Sequence, residues 1–302
     1  MSNLDSNTSV DYLIVDGNNL AFRSFYGVKY LSNQQQLPVN AIYGFFNTLH
    51  TLQQTIRYQH LIICFDCGHS QRRTQLLDSY KANRAETPED FKPQIPHIKQ
   101  LIPLMGGVCC EKEGVEADDI IGSLCQKIQG ERRSAIIVSA DKDLMQCVGT
   151  SIEQLIPTPQ GWTRMNPEGV KQKMGVWPEQ IIDFLALMGD SADNYPGIQG
   201  VGPKTAMQWL SDYNNLETIY KNLDTLRPER FREVLSKSKE LLEKNRQLAT
   251  LDCNPEYANL FWEQICKATP NLSAFSNALE ALGLKKLAQK FKPVPCEQIE
   301  LF

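Results

Sequence analysis

The sequence lacks any long apolar run. None of its hydrophobic stretches approaches the ~18 consecutive residues that a membrane-spanning helix requires. The opening segment "MSNLDSNTSV" has neither the basic start nor the apolar core of a secretory leader. We therefore expect a cytoplasmic protein with no membrane partner, and a short disordered N-terminus over residues 1–10.

The cysteines lack the pattern of a disulfide framework or of a zinc site. Their number, nine, is odd in a chain of 302 residues that carries no mark of secretion, which favours reduced thiols. Cys64 and Cys67 are two residues apart, but the adjacent pair Cys109 and Cys110 lacks the gap that lets two thiolates bind one ion. Zinc binding is therefore the weaker interpretation.

What the sequence does contain is three short apolar runs that each reach an aspartate. They are "DYLIVDG", "HLIICFD" and "AIIVSAD", with the acids Asp16, Asp66 and Asp141. Their β-branched composition predicts buried strands, and helical patterns lie between them. This alternation predicts an α/β domain over residues 11–165 with a mainly parallel sheet flanked by helices. The functional crevice of such a sheet lies beyond the carboxyl ends of its strands, so these acids should meet there.

The α/β pattern stops near residue 166, and the sequence is then predominantly helical to about residue 285. Pro167 and Pro178 each suit the first position of a helix. The segment "PGIQGVGPKTAMQWL" lacks the spacing of a nucleotide-binding loop and favours a helix-hairpin-helix at about 181–210. Such a turn presents backbone N–H groups to a DNA phosphate. A plain glycine-rich loop between two packed helices is the alternative.

Nine acids are expected to gather at one edge of the sheet. Besides those that follow strands, they occur in "GVEADDIIGS", "SADKDL" and "LMGDSADNYPG". The full set is Asp16, Asp66, Glu116, Asp118, Asp119, Asp141, Asp143, Asp190 and Asp193. Carboxylates at such density raise one another's pKa unless cations neutralise them. Because the set offers oxygen ligands without histidine or cysteine, it favours Mg²⁺, or Mn²⁺, over zinc.

Two such ions about 4 Å apart are the usual apparatus for displacement at phosphorus, so phosphodiester hydrolysis is the leading reaction class. The alternative is that these acids are helix caps, turn formers and solvated side chains, which explains each group separately but not their common placement. The net charge of −4 argues at first against a nucleic-acid partner. Without the nine proposed ligands, however, 26 acidic residues face 31 basic ones, a balance that suits DNA binding.

Several motifs together resemble the 5′-nuclease domain of bacterial DNA polymerase I and the wider flap endonuclease family. They are "YLIVDGNNLAFRSFYG", "FD" at 65–66, "YKANRAETPEDF", "GVEADDIIGSL", "SADKDL" and "IIDFLALMGDSADNYPGIQGVGPKTA", and the match covers about residues 11–285. The resemblance implies a PIN-like fold, a helical arch over residues 68–96, and a helical DNA-binding domain over residues 166–285. That domain would contain a helix-three-turn-helix element that holds K⁺.

The resemblance also implies roles for individual residues. All nine acids would bind metal: Asp16, Asp66, Glu116, Asp118 and Asp119 mainly one ion, and Asp141, Asp143, Asp190 and Asp193 the other. Catalysis is assigned to Lys81, Arg84 and Asp119, with the two basic side chains reaching the scissile phosphate, and Tyr80 would stack on a base. The implied DNA contacts are Arg23, Arg72, Arg73, Tyr80, Lys81, Arg84, Gly200, Gly202, Lys204 and Thr205.

The implied activity is that of a two-metal 5′-3′ exonuclease and 5′-flap endonuclease in DNA replication and repair. Its substrates would be branched or 5′-flapped DNA and RNA–DNA primer junctions. Because polymerase I relatives continue into further domains while this sequence stops at Phe302, we expect a stand-alone, monomeric nuclease. A PIN-type ribonuclease and a structure-specific DNA-binding protein without turnover are the alternatives.

Residues 286–302 are expected to form an extended tail, because two prolines preclude continued helix. Its last residues, "QIELF", are similar to the peptide that bacterial replication proteins insert into the sliding clamp, with Gln298, Leu301 and Phe302 as anchors. The alternative is an amphipathic end that packs on its own domain.

Overall fold

The computed structural model describes residues 8–159 and 161–292, and its first part is built on a six-stranded sheet. The strand order is β3-β2-β1-β4-β5-β6, and all neighbours are parallel except β5 and β6. The strands are β1 (Thr8–Asp16), β2 (Ile56–Cys64), β3 (Gly107–Cys110), β4 (Ala135–Val138), β5 (Ile152–Thr158) and β6 (Gly161–Met165). The mainly parallel sheet is as predicted.

Helices connect these strands and cover both faces of the sheet. They are α1 (Gly17–Gly27), α2 (Asn40–Thr55), α3 (Gln71–Leu76), α4 (Gln94–Leu101) and α5 (Ala117–Gly130). Along β1, Leu13 and Val15 face the core that includes α2, whereas Tyr12 and Ile14 face the core that includes α5. The strands are apolar on both faces because each face of a parallel sheet is buried under helices.

The second part, from residue 167 to 249, is helical and has its own core around Leu185, Trp209 and Leu235. Its helices are α6 (Pro167–Met174), α7 (Ile181–Met188), α8 (Pro203–Tyr213), α9 (Leu216–Lys221), α10 (Arg230–Lys237) and α11 (Lys239–Ala249). A small hairpin of β7 (Gly189–Asp190) and β8 (Tyr195–Pro196) lies between α7 and α8. As expected, Pro167 begins a helix, and Pro178 begins a 3₁₀ turn that leads into α7.

The far end of the helical domain predicted over residues 166–285 packs against the main sheet. Helices α12 (Pro255–Lys267), α13 (Leu272–Ala281) and α14 (Lys285–Lys290) return to the main sheet. Phe261 of α12 packs in the core beside α5, and Phe275 of α13 and Leu287 of α14 pack in the core beside α2. The apolar faces of these helices complete the cover of the sheet. The start of the tail expected over residues 286–302 is therefore helical, because α14 continues to Lys290.

Two other boundaries differ from expectation. Strand β1 begins at Thr8, so residues 8–10 are not part of a disordered N-terminus. The expected helical arch over residues 68–96 contains only the six-residue helix α3, then turns and extended chain, before α4 begins at Gln94. Pro88 and Pro93 disfavour a continuous helix in this segment.

Residues 1–7, 160 and 293–302 lie outside the described part, and with them the anchors Gln298, Leu301 and Phe302. In the described ranges, no helix has the length and apolar character needed to cross a membrane. The eight cysteines within those ranges are free thiols.

Candidate metal and nucleic-acid site

A cleft of about 810 Å³ at the carboxyl end of the sheet is lined by Glu86 and by five carboxylates from strand ends and the start of α5. We call them the sheet-edge cluster: Asp16, Asp66, Glu116, Asp118 and Asp141. As predicted, Asp16 ends β1, and Asp66 and Asp141 follow β2 and β4. The other two acids lie at the start of α5, where the positive end of the helix dipole stabilises negative charge.

Hydrogen bonds fix two of these carboxylates. The backbone N–H of Asn19 donates to Oδ1 of Asp16 over 3.0 Å, and the Ser139 hydroxyl donates to Oδ2 of Asp16 over 2.8 Å. The backbone N–H of Ala117 donates to Oδ1 of Asp66 over 2.8 Å. The acids therefore hold defined orientations toward the cleft.

Burial and mutual repulsion raise the pKa of the four sheet-edge aspartates. The pKa of Asp16 rises to about 7, mainly through burial and further through the charges of Asp66 and Asp141. Burial also raises the pKa of Asp66, with a smaller contribution from Glu116. The pKa of Asp118 lies well above its usual value because of burial and then the charges of Asp141 and Asp16. This environment favours either protons or a bound cation.

A second group, the hairpin cluster, consists of Asp143, Asp190 and Asp193. Each offers a carboxylate oxygen, and these oxygens all lie within 4.8 Å of one another. Asp143 begins the 3₁₀ helix after β4, whereas Asp190 and Asp193 belong to the β7–β8 hairpin of the helical part. Burial, and then the charges of neighbouring aspartates, raise the pKa of Asp143 well above its usual value.

The hairpin cluster has the properties of a site for a hard cation. Oδ1 of Asp143 is buried and has no hydrogen-bond partner. A buried carboxylate oxygen without a partner is costly, and a metal ion bound to it would remove that cost. The three oxygen donors fit Mg²⁺ or Mn²⁺ by their chemistry. Asp141 is the member of the sheet-edge cluster that contacts the hairpin cluster, because its Oδ1 accepts a hydrogen bond of 2.9 Å from the backbone N–H of Asp143.

Basic side chains lie against both clusters. Nζ of Lys81 is 2.6 Å from Oε1 of Glu116 and 4.0 Å from Oδ2 of Asp193, so this lysine bridges the two groups. Nη2 of Arg84 lies 3.0 Å from Oδ1 of Asp193. Burial lowers the pKa of Lys81, but the charges of Glu116, Asp193 and Asp118 outweigh this effect and raise it, so the side chain is held as a cation.

The segment that carries these cations is attached to the hairpin. Nδ2 of Asn83 donates to the carbonyl of Ser191, and Nδ2 of Asn194 donates to the carbonyl of Ser79, both over 2.7 Å. Lys81 itself has a φ of 56°, in the left-handed region. A non-glycine residue keeps such a conformation where its surroundings enforce it, which is common at functional sites.

Comparison with known proteins matches these features to one family. Residues 11–175 match the family model described as 5′-3′ exonuclease, N-terminal resolvase-like domain, and residues 176–271 match 5′-3′ exonuclease, C-terminal SAM fold. The chain belongs to the 5′-3′ exonuclease family. The boundary between the matched models lies close to the observed change from sheet to helices.

Relatives within the family differ in length. The 5′-3′ exonuclease of Aquifex aeolicus is 36% identical over 277 residues, which cover 92% of this chain and 93% of that protein. The thermostable DNA polymerase I of Thermus thermophilus is 40% identical over 223 residues, or 74% of this chain, but only 26% of the polymerase is covered. The chain thus spans between a quarter and a third of the polymerases that it matches and nearly all of the Aquifex exonuclease.

Solved structures share the fold. The D15 protein of bacteriophage T5, co-crystallised with metal ions, has a TM-score of 0.65 at 23% identity and covers 93% of this chain and 96% of its own. The catalytic core of Rad2 in complex with DNA substrate has a TM-score of 0.58 at 17% identity, with 95% and 91% of the two chains covered.

Among the acids predicted for this family member, eight of the nine lie in the two clusters. The ninth, Asp119, forms an ion pair with Arg73 and lines a different groove. Lys142, which the sequence reasoning missed, has its Nζ 2.9 Å from Oδ2 of Asp190. Its position between two acids in "SADKDL" was the available signal.

The ten residues predicted to contact DNA divide into three groups, two of which are placed where a partner could reach them. Arg23, Lys81 and Arg84 line the cleft, and Gly200, Gly202, Lys204 and Thr205 lie at or just before the start of α8. Gly200 is exposed with a φ of 80°, so its turn is open to a partner.

Three residues of the DNA-binding prediction are engaged within the protein instead. Tyr80 is only 8% exposed, and its hydroxyl donates to Oδ2 of Asp193 over 2.8 Å, so the ring is not presented for base stacking. Arg73 is 2% exposed and paired with acids. Arg72 donates to the carbonyl of Thr250. The sequence could not reveal this, because the partners are distant in the chain.

Proposed function

We propose that this chain is a divalent-metal-dependent 5′-3′ exonuclease and 5′-flap endonuclease. The observation that carries the proposal is the convergence of eight carboxylates, from strand ends, the start of α5 and the hairpin, around the bridging cation Lys81. The name of the Aquifex relative supports the exonuclease activity. The T5 protein is described as a flap endonuclease in a complex with DNA and metal ions, which supports the flap substrate.

The residues would divide the work as follows. The sheet-edge cluster would hold one Mg²⁺ ion and the hairpin cluster the other, with Asp141 between them. Ions so bound would supply Lewis acidity toward a phosphodiester and lower the pKa of a bound water. Lys81 and Arg84 would orient the scissile phosphate and stabilise the negative charge that develops on it. The carboxylates of both clusters would keep their positions around the ions because strand ends, helix ends and the hairpin fix their backbones.

The turn before α8 would bind duplex DNA at a site separate from the cleft. Its exposed backbone at Gly200 and the side chains of Lys204 and Thr205 suit contact with phosphates, which carries no base specificity. We further propose a K⁺ ion at this turn, branched DNA and RNA–DNA primer junctions as substrates, and a cytoplasmic monomer. Sliding-clamp binding through Gln298, Leu301 and Phe302 is a further part of the proposal, supported by the peptide sequence alone.

The test is cleavage of a 5′-flap DNA by the full chain with Mg²⁺ and with EDTA. We expect metal-dependent release of the flap, with less cleavage of a single-stranded RNA of the same sequence. Preferred cleavage of the RNA would favour the ribonuclease alternative. Binding of the flap without any metal-dependent product would favour a DNA-binding protein without turnover.

A further inference from the structure

Asp118 and Asp119 are neighbours in the first turn of α5 but face different sides of the molecule. Asp118 lines the cleft of the sheet-edge cluster. Asp119 lines a separate groove, together with Arg72, Asp252 and Tyr257. Consecutive residues of a helix point in directions about 100° apart, so the two carboxylates do not share a face.

The oxygens of Asp119 are occupied by protein donors. Nη1 of Arg73 donates to Oδ2 over 2.7 Å, and Nη2 of Arg73 donates to Oδ1 over 2.8 Å, a bidentate pair. The backbone N–H of Asp252 also donates to Oδ1 over 2.8 Å. With an exposed fraction of 3%, this carboxylate is satisfied where it lies.

Arg73 joins three elements at this point. Arg73 lies in α3, and its Nη1 also donates to Oε2 of Glu116 over 2.7 Å. The guanidinium therefore fixes one oxygen of a sheet-edge carboxylate whose other oxygen accepts from Lys81. Its Nε donates over 3.0 Å to the carbonyl of Leu248 in α11. The same side chain therefore ties the sheet-edge cluster to the helical part that carries the hairpin cluster.

We infer that Asp119 is a positioning residue and not a metal ligand. With Arg73 it forms a pair that fixes Glu116 at the cleft and joins α5 to α11. This inference rests on the proposed metal-dependent function. It deepens that proposal, because Asp119 is no longer counted among the metal ligands and Arg73 becomes a residue that positions one of them.

The experiment compares variants of the full chain in two measurements, thermal unfolding in EDTA and Mn²⁺ binding followed by electron paramagnetic resonance. The variants are Asp119→Asn, Arg73→Lys and their combination, and the matched control is Asp118→Asn, the adjacent aspartate on the same turn. All of these changes are conservative in size, and Arg73→Lys also keeps the positive charge, which limits the risk of misfolding.

In EDTA, the two neighbours should respond with opposite signs. Asp118→Asn should raise the melting temperature, because it relieves repulsion within the sheet-edge cluster. Asp119→Asn should lower it by ~5 °C or more, because Arg73 then loses an ionised partner in a buried site. A rise in melting temperature for Asp119→Asn would overturn the inference, since it would place Asp119 among the repelling acids.

Mn²⁺ binding separates positioning from a purely structural role. Arg73→Lys and Asp119→Asn should each weaken Mn²⁺ binding by ~10-fold, as is typical for groups that orient metal ligands. The combined variant should be no weaker than either, because both act through Glu116. Tighter Mn²⁺ binding in Arg73→Lys would contradict the inference, because a freed Asp119 would then be acting as a ligand. Unchanged binding in both variants would also contradict it.

The two proposals fail in different ways. If the unmodified chain binds no Mn²⁺, the proposed metal-dependent function is wrong, whereas the unfolding data in EDTA still decide whether Asp119 and Arg73 act as a pair.

Discussion

The sheet-edge cluster and the hairpin cluster balance their charge differently. In the sheet-edge cluster the aspartates face one another, and burial together with mutual repulsion raises the pKa of Asp16, Asp66 and Asp118. In the hairpin cluster, Asp190 is paired with Lys142, and Asp193 is paired with Arg84 and accepts a hydrogen bond from the Tyr80 hydroxyl.

The two clusters therefore differ in how their carboxylates are positioned and in how their charge is neutralised. Three sheet-edge acids are placed by strand ends and two by the start of α5. The four aspartates among them would be neutralised by a bound cation, whereas Glu116 is already paired with Lys81 and Arg73.

In the hairpin cluster, Asp190 and Asp193 are placed by a short connection in the helical part and are paired with side chains from residues 80–84 and 142. Asp143 instead follows β4, and burial together with neighbouring aspartates raises its pKa. The helical part thus carries two of the carboxylates that we propose as metal ligands, as well as the turn that we propose as a DNA contact. A substitution in the sheet-edge cluster should therefore lower the rate of cleavage, whereas a substitution in the hairpin should mainly lower the local stability of the fold.

The largest effect is expected at the sheet edge. Asp66→Asn should lower flap cleavage by ~10³-fold or more, because it removes a ligand charge where transition-state charge is stabilised. The affinity for flap DNA, measured by fluorescence anisotropy in Ca²⁺, should change little. The control is Asp224→Asn, an exposed aspartate of the helical part, which should cleave normally. Retained cleavage in Asp66→Asn would remove the sheet-edge cluster from the mechanism.

A change in the hairpin backbone should act through folding. Gly189 has a φ of 68°, and a Cβ there would lie 2.1 Å from the backbone nitrogen of Gly197. Gly189→Ala should therefore destabilise the protein by about 2–3 kcal/mol and displace Asp190, with a parallel loss of cleavage. Gly130→Ala, where a Cβ meets nothing within 4 Å, is the matched control. Equal unfolding temperatures for the two variants would show that the hairpin tolerates displacement.

The pH dependence of stability should expose the sheet-edge repulsion. The pKa of Asp16 is about 7 in the folded chain against its usual 3.8, so the folded state binds more protons than the unfolded state between these values. Stability in EDTA should therefore fall as pH rises from about 4 to 7 and level off above. Asp16→Asn should lack this part of the decline, and Mg²⁺ should reduce it in the unmodified chain. Identical pH profiles for the two chains in EDTA would contradict the assignment.

The smallest effect is expected at the turn before α8. Lys204→Ala should weaken duplex binding by ~3- to 10-fold and reduce the salt dependence of the binding constant by about one phosphate contact. The catalytic rate at saturating DNA should not change, because Lys204 lies outside the cleft. Lys286→Ala, an exposed lysine on α14, is the control. Equal salt dependence in the two variants would exclude the turn as a phosphate contact.

The sequence was sufficient to predict those features that follow directly from the order of strands and helices. Parallel strands bring Asp16, Asp66 and Asp141 to one edge whatever else the chain does. The change from strands to helices near residue 166 followed from the hydrophobic periodicity and Pro167. Within the acidic segment, periodicity also separates Asp118 from Asp119, although the density of acids suggested a single function for both.

What could not be predicted depends on partners that are distant in sequence. Arg73 meets Glu116 at a separation of 43 residues, and Tyr80 meets Asp193 at a separation of 113 residues, so neither burial was visible locally. The apolar faces of α12 to α14 could pack in the core of the helical part or against the sheet. They pack against the sheet because its faces would otherwise be left partly uncovered. The resemblance implies a helical arch over residues 68–96, but helix is absent from residues 77–93 of this segment, where Pro88 and Pro93 oppose it.

The most direct test of the account is the anomalous diffraction of crystals of the full chain soaked in Mn²⁺. Two peaks are predicted, one among the oxygens of Asp16, Asp66, Glu116 and Asp118, and one among those of Asp143, Asp190 and Asp193. Neither peak should contact Asp119. A single peak, or a peak bound to Asp119 with Arg73 displaced, would contradict the account.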